Sequence, residues 1–282
     1  MVNTKILDGK LTSEKLTEKL KLQVANFEKK PTLAVLLVGD NPASEIYVRA
    51  KLKKAQSIGF ETVFKHLNAD TAEELVLEQI EDWNTNDNIN GILVQLPLPI
   101  HLNKTKILNE IDEEKDVDGL TSKNSGRFYT GDKNCVTPCT TRGIGMLLDE
   151  YVINVEGMHA VVVGRSNLVG KPTAQMLLNR NATVTVCHSK TKDLESIIKT
   201  ADLVVSAAGE KIINGKILKD NCILVDVGIE RMSNGKITGD VDFASALGHA
   251  SFISPVPGGV GPMTVIALMY NLFDLYQKQQ HC

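Results

Sequence analysis

The stretch His159–Pro172, HAVVVGRSNLVGKP, decides the fold. An apolar, β-branched run ends at Gly164, and Gly170 stands where a helix starts. At such a strand-to-helix turn, glycine lets backbone approach a pyrophosphate closely, and the helix N-terminus favours the phosphate charge. The spacing departs from the usual G-x-G-x-x-G. Ser166 replaces the second glycine, and Gly164 and Gly170 are six positions apart. The same residues would also serve an ordinary strand-to-helix turn.

The next strand adds weight to the first reading. In NAD-specific domains an acidic residue about 20 positions past the first glycine holds the ribose hydroxyls. Here the second strand ends in Cys187-His188-Ser189-Lys190, and no carboxylate is present. Ser189, Lys190 and Arg165 offer donors instead, which suit a 2′-phosphate that a carboxylate would repel. The reading is therefore NADP rather than NAD. Lys190 and Lys192 also read as a solvated edge. Further on, Ala207-Ala208-Gly209 and Asp226-Val227-Gly228-Ile229 fall where later strands of such a sheet end. Small residues there allow a nicotinamide ribose close to backbone.

Outward from this core, strand-like and helix-like segments alternate along the whole chain. In the N-terminal half the expected order is a strand at 32–38, a helix at 42–58, a strand at 61–67, a helix opened by a Thr71–Glu74 capping box and running to Trp83, a strand at 91–96 and a short helix at 103–111. A helix at 140–151 leads into a second series. It comprises strands at 159–163, 183–187, 203–206 and 223–227, helices at 170–179 and 193–200, and a closing helix at about 263–277. Repeated βα units imply parallel sheets with right-handed crossovers. With 282 residues, two domains are the natural reading.

Composition narrows the function classes. The chain is 43% hydrophobic and 23% charged, as expected of a globular protein, and its net charge of −3 gives no reason to expect nucleic acid. The longest apolar runs are strand-sized, so no membrane span is expected. The N-terminal MVNTKILDGK lacks the apolar core of a signal peptide. Five scattered cysteines read as reduced thiols of a cytoplasmic protein, and no metal-ligand cluster is visible.

Three other segments are unusual. In NPASEIYVRAKLKKA, Tyr47 and Lys51 are four apart and share a helix face, a candidate proton-transfer pair, with Ile46 and Ala50 expected to cover a neighbouring face. A basic solvated helix carrying one amphipathic tyrosine reads equally from these residues. GILVQLPLP (Gly91–Pro99) sets polar Gln95 at the end of an apolar strand, and Asp116-Val117-Asp118-Gly119 puts two carboxylates before a glycine, where an Asx-turn is the structural alternative. PVPGGVGPMT (Pro255–Thr264) is a Gly/Pro-rich loop before the last helix, of a kind better suited to ligand binding than to packing.

Taken in order, SEIYVRAKLKKA (44–55), VQLPLP (94–99), DVDG (116–119), GRSNLVGKP (164–172), CHS (187–189), DVGI (226–229) and PVPGGVGPMT (255–264) resemble the methylenetetrahydrofolate dehydrogenase/methenyltetrahydrofolate cyclohydrolase family across essentially the whole chain. The resemblance implies a two-domain α/β fold with a cleft between the domains. Residues 1–139, completed by a C-terminal helix at 264–282, would form a catalytic, folate-binding domain, and 140–263 a Rossmann-like, doubly wound NADP-binding domain. It implies oxidation of 5,10-methylenetetrahydrofolate with NADP, then hydrolysis of the methenyl product to 10-formyltetrahydrofolate. Lys51, Tyr47, Gln95 and Asp118 would be the catalytic set: Lys51 moves the proton, Tyr47 stacks on the folate, Gln95 tunes Lys51 and Asp118 binds the pterin. Leu96, Pro257, Gly258 and Gly259 would complete the substrate site. Gly164, Arg165, Ser166, Gly170, Ser189, Gly209, Gly228 and Ile229 would hold the cofactor. The resemblance also suggests a homodimer. A different two-domain NADP dehydrogenase of the shikimate type is the alternative.

Overall fold

The computed structural model describes residues 2–231 and 237–280, so Cys282 lies outside the described residues. In chain order the elements are β1 (Lys5–Ile6), α1 (Gly9–Val24), β2 (Thr32–Val38), α2 (Pro42–Ile58), β3 (Glu61–Leu67), α3 (Glu73–Asn84), β4 (Gly91–Val94), α4 (Lys104–Glu110), α5 (Ser122–Thr130) and α6 (Cys139–Glu150). They continue with β5 (His159–Val163), α7 (Gly170–Asn179), β6 (Thr183–Cys187), α8 (Leu194–Ile198), β7 (Leu203–Ser206), a 3-10 turn (Gly215–Ile217), β8 (Ile223–Asp226), β9 (Glu230–Arg231), β10 (Ile237–Thr238), α9 (Phe243–Ala246), β11 (Phe252–Ile253) and α10 (Val260–Gln279). The chain divides into two compact units, one of Lys15–Cys139 with Val265–Cys282, the other of Met1–Glu14 with Thr140–Thr264. The first fourteen residues thus cluster with the second half of the chain, because β1 pairs in parallel with β11.

The first unit holds a three-stranded parallel sheet in the order β3-β2-β4. All seven residues of β2 are buried, as befits a central parallel strand covered on both faces. Its core joins Leu36 and Val38 to Val76, Ile80 and Trp83 of α3 and Ile107 of α4. α2 starts where Asn41 Oδ1 accepts from Ala43 N (3.0 Å) and Ser44 N (3.2 Å), with Pro42 in its first turn, and it ends at Gly59 in the left-handed region (φ 97°). α3 lacks the expected capping box. It begins at Glu73 after Ala72, with no side-chain cap. The carboxylate of Glu73 bonds instead to Asn103 N (2.7 Å) and Lys106 Nζ (2.9 Å), tying α3 to α4.

The second unit is a six-stranded parallel sheet in the order β1-β11-β8-β7-β5-β6. β5 is followed by β6 on one side and β7 on the other, so the strand order reverses there, as in doubly wound folds. Val161, Val163, Val204 and Leu224 of the sheet pack against Ile198, Ile213, Ala246 and Ala250. Several ends differ from expectation by a residue or more. β4 stops at Val94 rather than Leu96 and β8 at Asp226 rather than Val227, while α8 is trimmed to five residues behind its cap, Asp193. α10 begins at Val260, so part of the Gly/Pro-rich segment is helix, with Pro262 in the turn whose N–H groups lack intrahelical partners.

Candidate active site

In the first unit, the buried stripe of α2 runs Ser44, Val48, Ala55 and Ile58. Lys51 falls on that stripe, three residues after Val48 and four before Ala55, and is half-buried. Ile46 and Ala50 are exposed, contrary to the expected apolar cover, because they lie on the opposite face. Two other cations of the helix are engaged elsewhere: Arg49 pairs with Glu45 (2.9 Å) and Lys54 Nζ donates to Thr17 Oγ1 (3.0 Å). Lys51 Nζ donates to Gln95 Oε1 at 3.0 Å.

Gln95 is only 8% exposed, and three bonds fix it. Its backbone N extends the β2–β4 ladder to Leu36 O (2.9 Å), its Oε1 accepts from Lys51, and its Nε2 donates to Leu96 O (2.6 Å). A flipped amide would set its N–H donors against the ammonium, so the network dictates the orientation. Leu96 O also receives a long bond from Ser44 Oγ (3.5 Å), and the Leu96–Pro97 peptide is cis. Gln95 engages one of the three Lys51 donors. Tyr47, one turn before Lys51 on the same helix, is 38% exposed.

The two carboxylates of DVDG part company. Asp116 is buried and accepts from Leu120 N (3.1 Å) and Thr121 N (2.9 Å), so it is the turn-forming residue. Burial pushes its carboxyl up, against the opposing pull of the Thr121 and Leu120 bonds. Asp118 is half-buried. Ile92 N donates to Lys115 O (2.7 Å), laying this segment beside β4. Gly119 at φ 69° is required, since a Cβ would meet Val136 O at 2.7 Å. Asn124, which the sequence reading passed over, clamps the loop. Its Nδ2 donates to Gly119 O (3.1 Å) and Val136 O (2.6 Å), and its Oδ1 accepts from Val136 N (2.7 Å). A buried asparagine just inside a Thr-capped helix of poor formers was its one signal.

In the second unit, Gly164 N donates to Cys187 O (2.8 Å), and Gly164 has φ 128°, open only to glycine. A Cβ there would strike the Ala207 carbonyl across the point of strand reversal. A Cβ on Gly170 would strike the Gly164 carbonyl. Ser166 Oγ accepts from Val169 N (3.1 Å) and Gly170 N (3.3 Å), capping α7 while leaving its O–H as a donor. Arg165 and Ser189 are exposed. The turn after β6 is closed by His188 N to Thr191 Oγ1 (2.8 Å) and Lys190 N to His188 Nδ1 (3.1 Å). Gly209 is exposed at φ 75°, Gly228 is buried and Ile229 is 52% exposed.

Gly228 is closed to any side chain, since a Cβ would land on the Asp240 carboxyl. Pro257, Gly258 and Gly259 belong to this unit, not to the one carrying Lys51. Gly258 O accepts from Lys10 N (2.9 Å), and Gly259 packs on Ser254 and Pro255. Among the described residues no group of three His, Cys, Asp or Glu is placed to hold a metal, and no helix is long and apolar enough to cross a membrane.

A doubly wound sheet with a glycine-lined turn at its switch point defines a Rossmann-like dinucleotide-binding unit, here joined to an α/β unit carrying a lysine–glutamine pair. Residues 7–118 match the tetrahydrofolate dehydrogenase/cyclohydrolase catalytic domain, and residues 138–280 match that family's NAD(P)-binding domain. The bifunctional protein FolD of Aquifex aeolicus is 46% identical over 279 residues, covering 97% of this chain and 96% of that one. The crystal structure of the Campylobacter jejuni bifunctional FolD enzyme has a TM-score of 0.95 at 44% identity, covering 98% of this chain and 99% of that one. The Trypanosoma brucei FolD structure, complexed with NADP cofactor and inhibitor, has a TM-score of 0.95 at 33% identity, with full coverage of both chains. The chain belongs to the tetrahydrofolate dehydrogenase/cyclohydrolase family. Shikimate dehydrogenase from Aquifex aeolicus, at 12% identity and a TM-score of 0.54, shares the fold alone.

Proposed function

We propose that this chain oxidises 5,10-methylenetetrahydrofolate to the 5,10-methenyl cation with NADP, and then hydrolyses that cation to 10-formyltetrahydrofolate. The observation that carries the reading is the Lys51–Gln95 hydrogen bond at the end of β4, in a chain of this family. The turn between β5 and α7 fits a pyrophosphate: Gly164 and Gly170 have no room for a Cβ, and exposed Arg165 and Ser189 supply donors beside Ser166 O–H. NADP, when bound, accepts the hydride that leaves the one-carbon bridge. The chain's part in that step is alignment, which needs no acid or base.

Hydrolysis needs proton movement. Water adds to the methenyl carbon and releases one proton, giving a neutral carbinolamine. Ring opening then moves a proton from the carbinol oxygen to N5 as the C–N5 bond breaks. Lys51 Nζ gives the proton to N5 and retakes one from the oxygen, with no net change in its own charge. Gln95 holds that ammonium in place, Tyr47 lies against the pterin, and Asp118 accepts paired N–H bonds from its amide-like edge. Leu96, Pro257, Gly258 and Gly259 contribute the remaining substrate contacts.

The deciding experiment is Lys51→Met assayed for both reactions. Methenyl hydrolysis should collapse while NADPH formation from methylenetetrahydrofolate persists at least in part. A parent enzyme that forms no NADPH, or a variant that hydrolyses at full rate, rejects the assignment. Ser189→Asp should narrow the preference for NADP over NAD. The protein acts as a homodimer in the cytoplasm: among the described residues β3 is a sheet edge with half-exposed Val63 and Phe64, which a second copy would cover, and the four described cysteines form no disulfide. Light scattering that reports a monomer would remove the dimer.

A further inference from the structure

The C-terminal ends of β7 and β8 lie side by side, with Ser206 opposite Asp226 in register. Two buried aspartates hold the backbone that leaves them. Asp240 is fully buried, and its Oδ2 accepts three bonds, from Ser206 Oγ (2.9 Å), Ala208 N (2.7 Å) and Gly209 N (3.2 Å). Asp226 is 4% exposed. Its Oδ1 accepts from Gly228 N (2.9 Å) and Asp240 N (3.0 Å), and its Oδ2 from Val241 N (3.0 Å). Asp226 N in turn donates to Ser254 Oγ (2.7 Å).

The arrangement is hierarchical. Asp226 fixes the loop after β8 and also the backbone of residue 240, while the side chain of Asp240 fixes the loop after β7. Two glycines make room for it: a Cβ on Gly228 would land on the Asp240 carboxyl, and one on Gly239 would land on that of Asp226. An oxygen that takes three donors suits an anion, since a neutral acceptor would hold them more weakly. Among the described residues Asp240 Oδ1 has no hydrogen-bond partner, a costly state for a buried oxygen.

Ligands of doubly wound sheets bind outside the carboxyl ends of the strands at the switch point. The phosphate turn occupies the end of β5, next to β7. The loops after β7 and β8 are therefore the backbone that the far end of a dinucleotide must meet. We propose that Asp226 and Asp240 are a positioning pair that shapes this backbone as the seat for the nicotinamide end of NADP. The inference rests on the dinucleotide-dependent function proposed above. Neither aspartate touches the cofactor; each acts through the loop it holds.

The test is Asp240→Ala and Asp240→Asn in the full-length chain, with Kd for NADP, KM and kcat for dehydrogenation, and the rate of methenyl hydrolysis. Asp240→Ala should raise Kd and KM for NADP tenfold or more while hydrolysis stays within twofold. Asp240→Asn keeps one acceptor oxygen and should return both constants to within threefold of the parent. A folded Asp240→Ala protein that binds NADP as the parent does overturns the pair, and so does an Asn variant no better than Ala. Should Asp240→Ala fail to fold, Ser206→Ala removes one of the three donors and should raise KM about threefold; an unchanged KM overturns the proposal. A parent that binds no NADP refutes the proposed function itself, which separates the two failures.

Discussion

Replacing Gln95 with leucine tests the reasoning about the lysine most directly. The side chain is 8% exposed, so leucine fills nearly the same buried space and removes only polar contacts. Two bonds are lost, from Lys51 Nζ at 3.0 Å and to Leu96 O at 2.6 Å. The first is charge-assisted, and such bonds are worth roughly 1.5–3 kcal/mol. At about 1.4 kcal/mol per decade, loss of the alignment it provides lowers the hydrolysis rate by about 10- to 150-fold. Hydride transfer, which asks nothing of Lys51, should change less than about threefold in kcat. The assay follows the methenyl absorbance for hydrolysis and NADPH absorbance for oxidation in the same preparation. A double-mutant cycle completes it: with methionine already at position 51, Gln95→Leu should cost less than about threefold, because it has no ammonium left to act through. Hydrolysis within twofold of the parent, or the same factor lost in both backgrounds, would refute the argument.

Three further outcomes follow from the geometry. Gly164→Ala meets both a positive φ and the Ala207 carbonyl; strain of about 1–3 kcal/mol in that turn should cut kcat/KM for NADP by about 5- to 150-fold and leave methenyl hydrolysis within about twofold, and normal NADP kinetics would count against the turn. Asn124→Ala removes three buried bonds around the DVDG loop and should cost about 2–4 kcal/mol, seen as a lower midpoint in urea unfolding together with a raised KM for folate. Burial pushes the Asp226 carboxyl up to about 6, against the pull of its backbone donors and with a smaller push from the charge of Asp240. A raised folded value means that the stabilising contribution is complete below about pH 4 and is lost as pH rises through about 6, a change of about 3 kcal/mol. The stability of the parent relative to Asp226→Asn should therefore decline between pH 4 and pH 7; a constant difference across that window would exclude the shift.

Strands β2 to β8 and helices such as α2 and α7 were legible because their signals are local. β2 is a run of seven apolar residues, and α2 announces both ends with Asn41, Pro42 and Gly59. α1 escaped notice because its apolar positions do not share one face: Leu20 and Val24 are buried, whereas Leu11 and Leu22 are 63% and 78% exposed. α5 is built of poor helix formers and is held by its caps, Thr121 and Gly131. β1 and β11 are two residues each: β1 is held by pairing with β11 across some 250 positions of chain, and β11 lies between β1 and β8. The same divide runs through the site. Lys51 and Gln95 stood out by their spacing and by a polar side chain ending an apolar strand. Asp240 is one acid among 34 Asp and Glu residues, and its importance arises only when the ends of β7 and β8 are brought to it. At Gly228 the missing Cβ also makes room for a carboxylate of the protein itself, a reason for glycine that no local pattern carries.

The route of the chain has a consequence for how the protein is made. The unit bearing Lys51 is interrupted after Cys139 and resumes only at Val265. Its closing segment of α10 supplies Asn271, whose Nδ2 donates to Val117 O (2.9 Å) and Thr137 O (3.0 Å), and Tyr276, whose hydroxyl donates to Lys29 O (2.7 Å). Leu272 of the same helix packs where a Cβ on Gly91 would lie. During synthesis the first 139 residues therefore leave the ribosome without the helix that seals them, and they wait while the dinucleotide-binding sheet is translated. That sheet in turn borrows β1 from the opening residues. Each half is finished with a piece from the far side of the other, so neither can be excised as one uninterrupted segment, and a nascent chain cannot complete the lysine-bearing half before the cofactor half has been made.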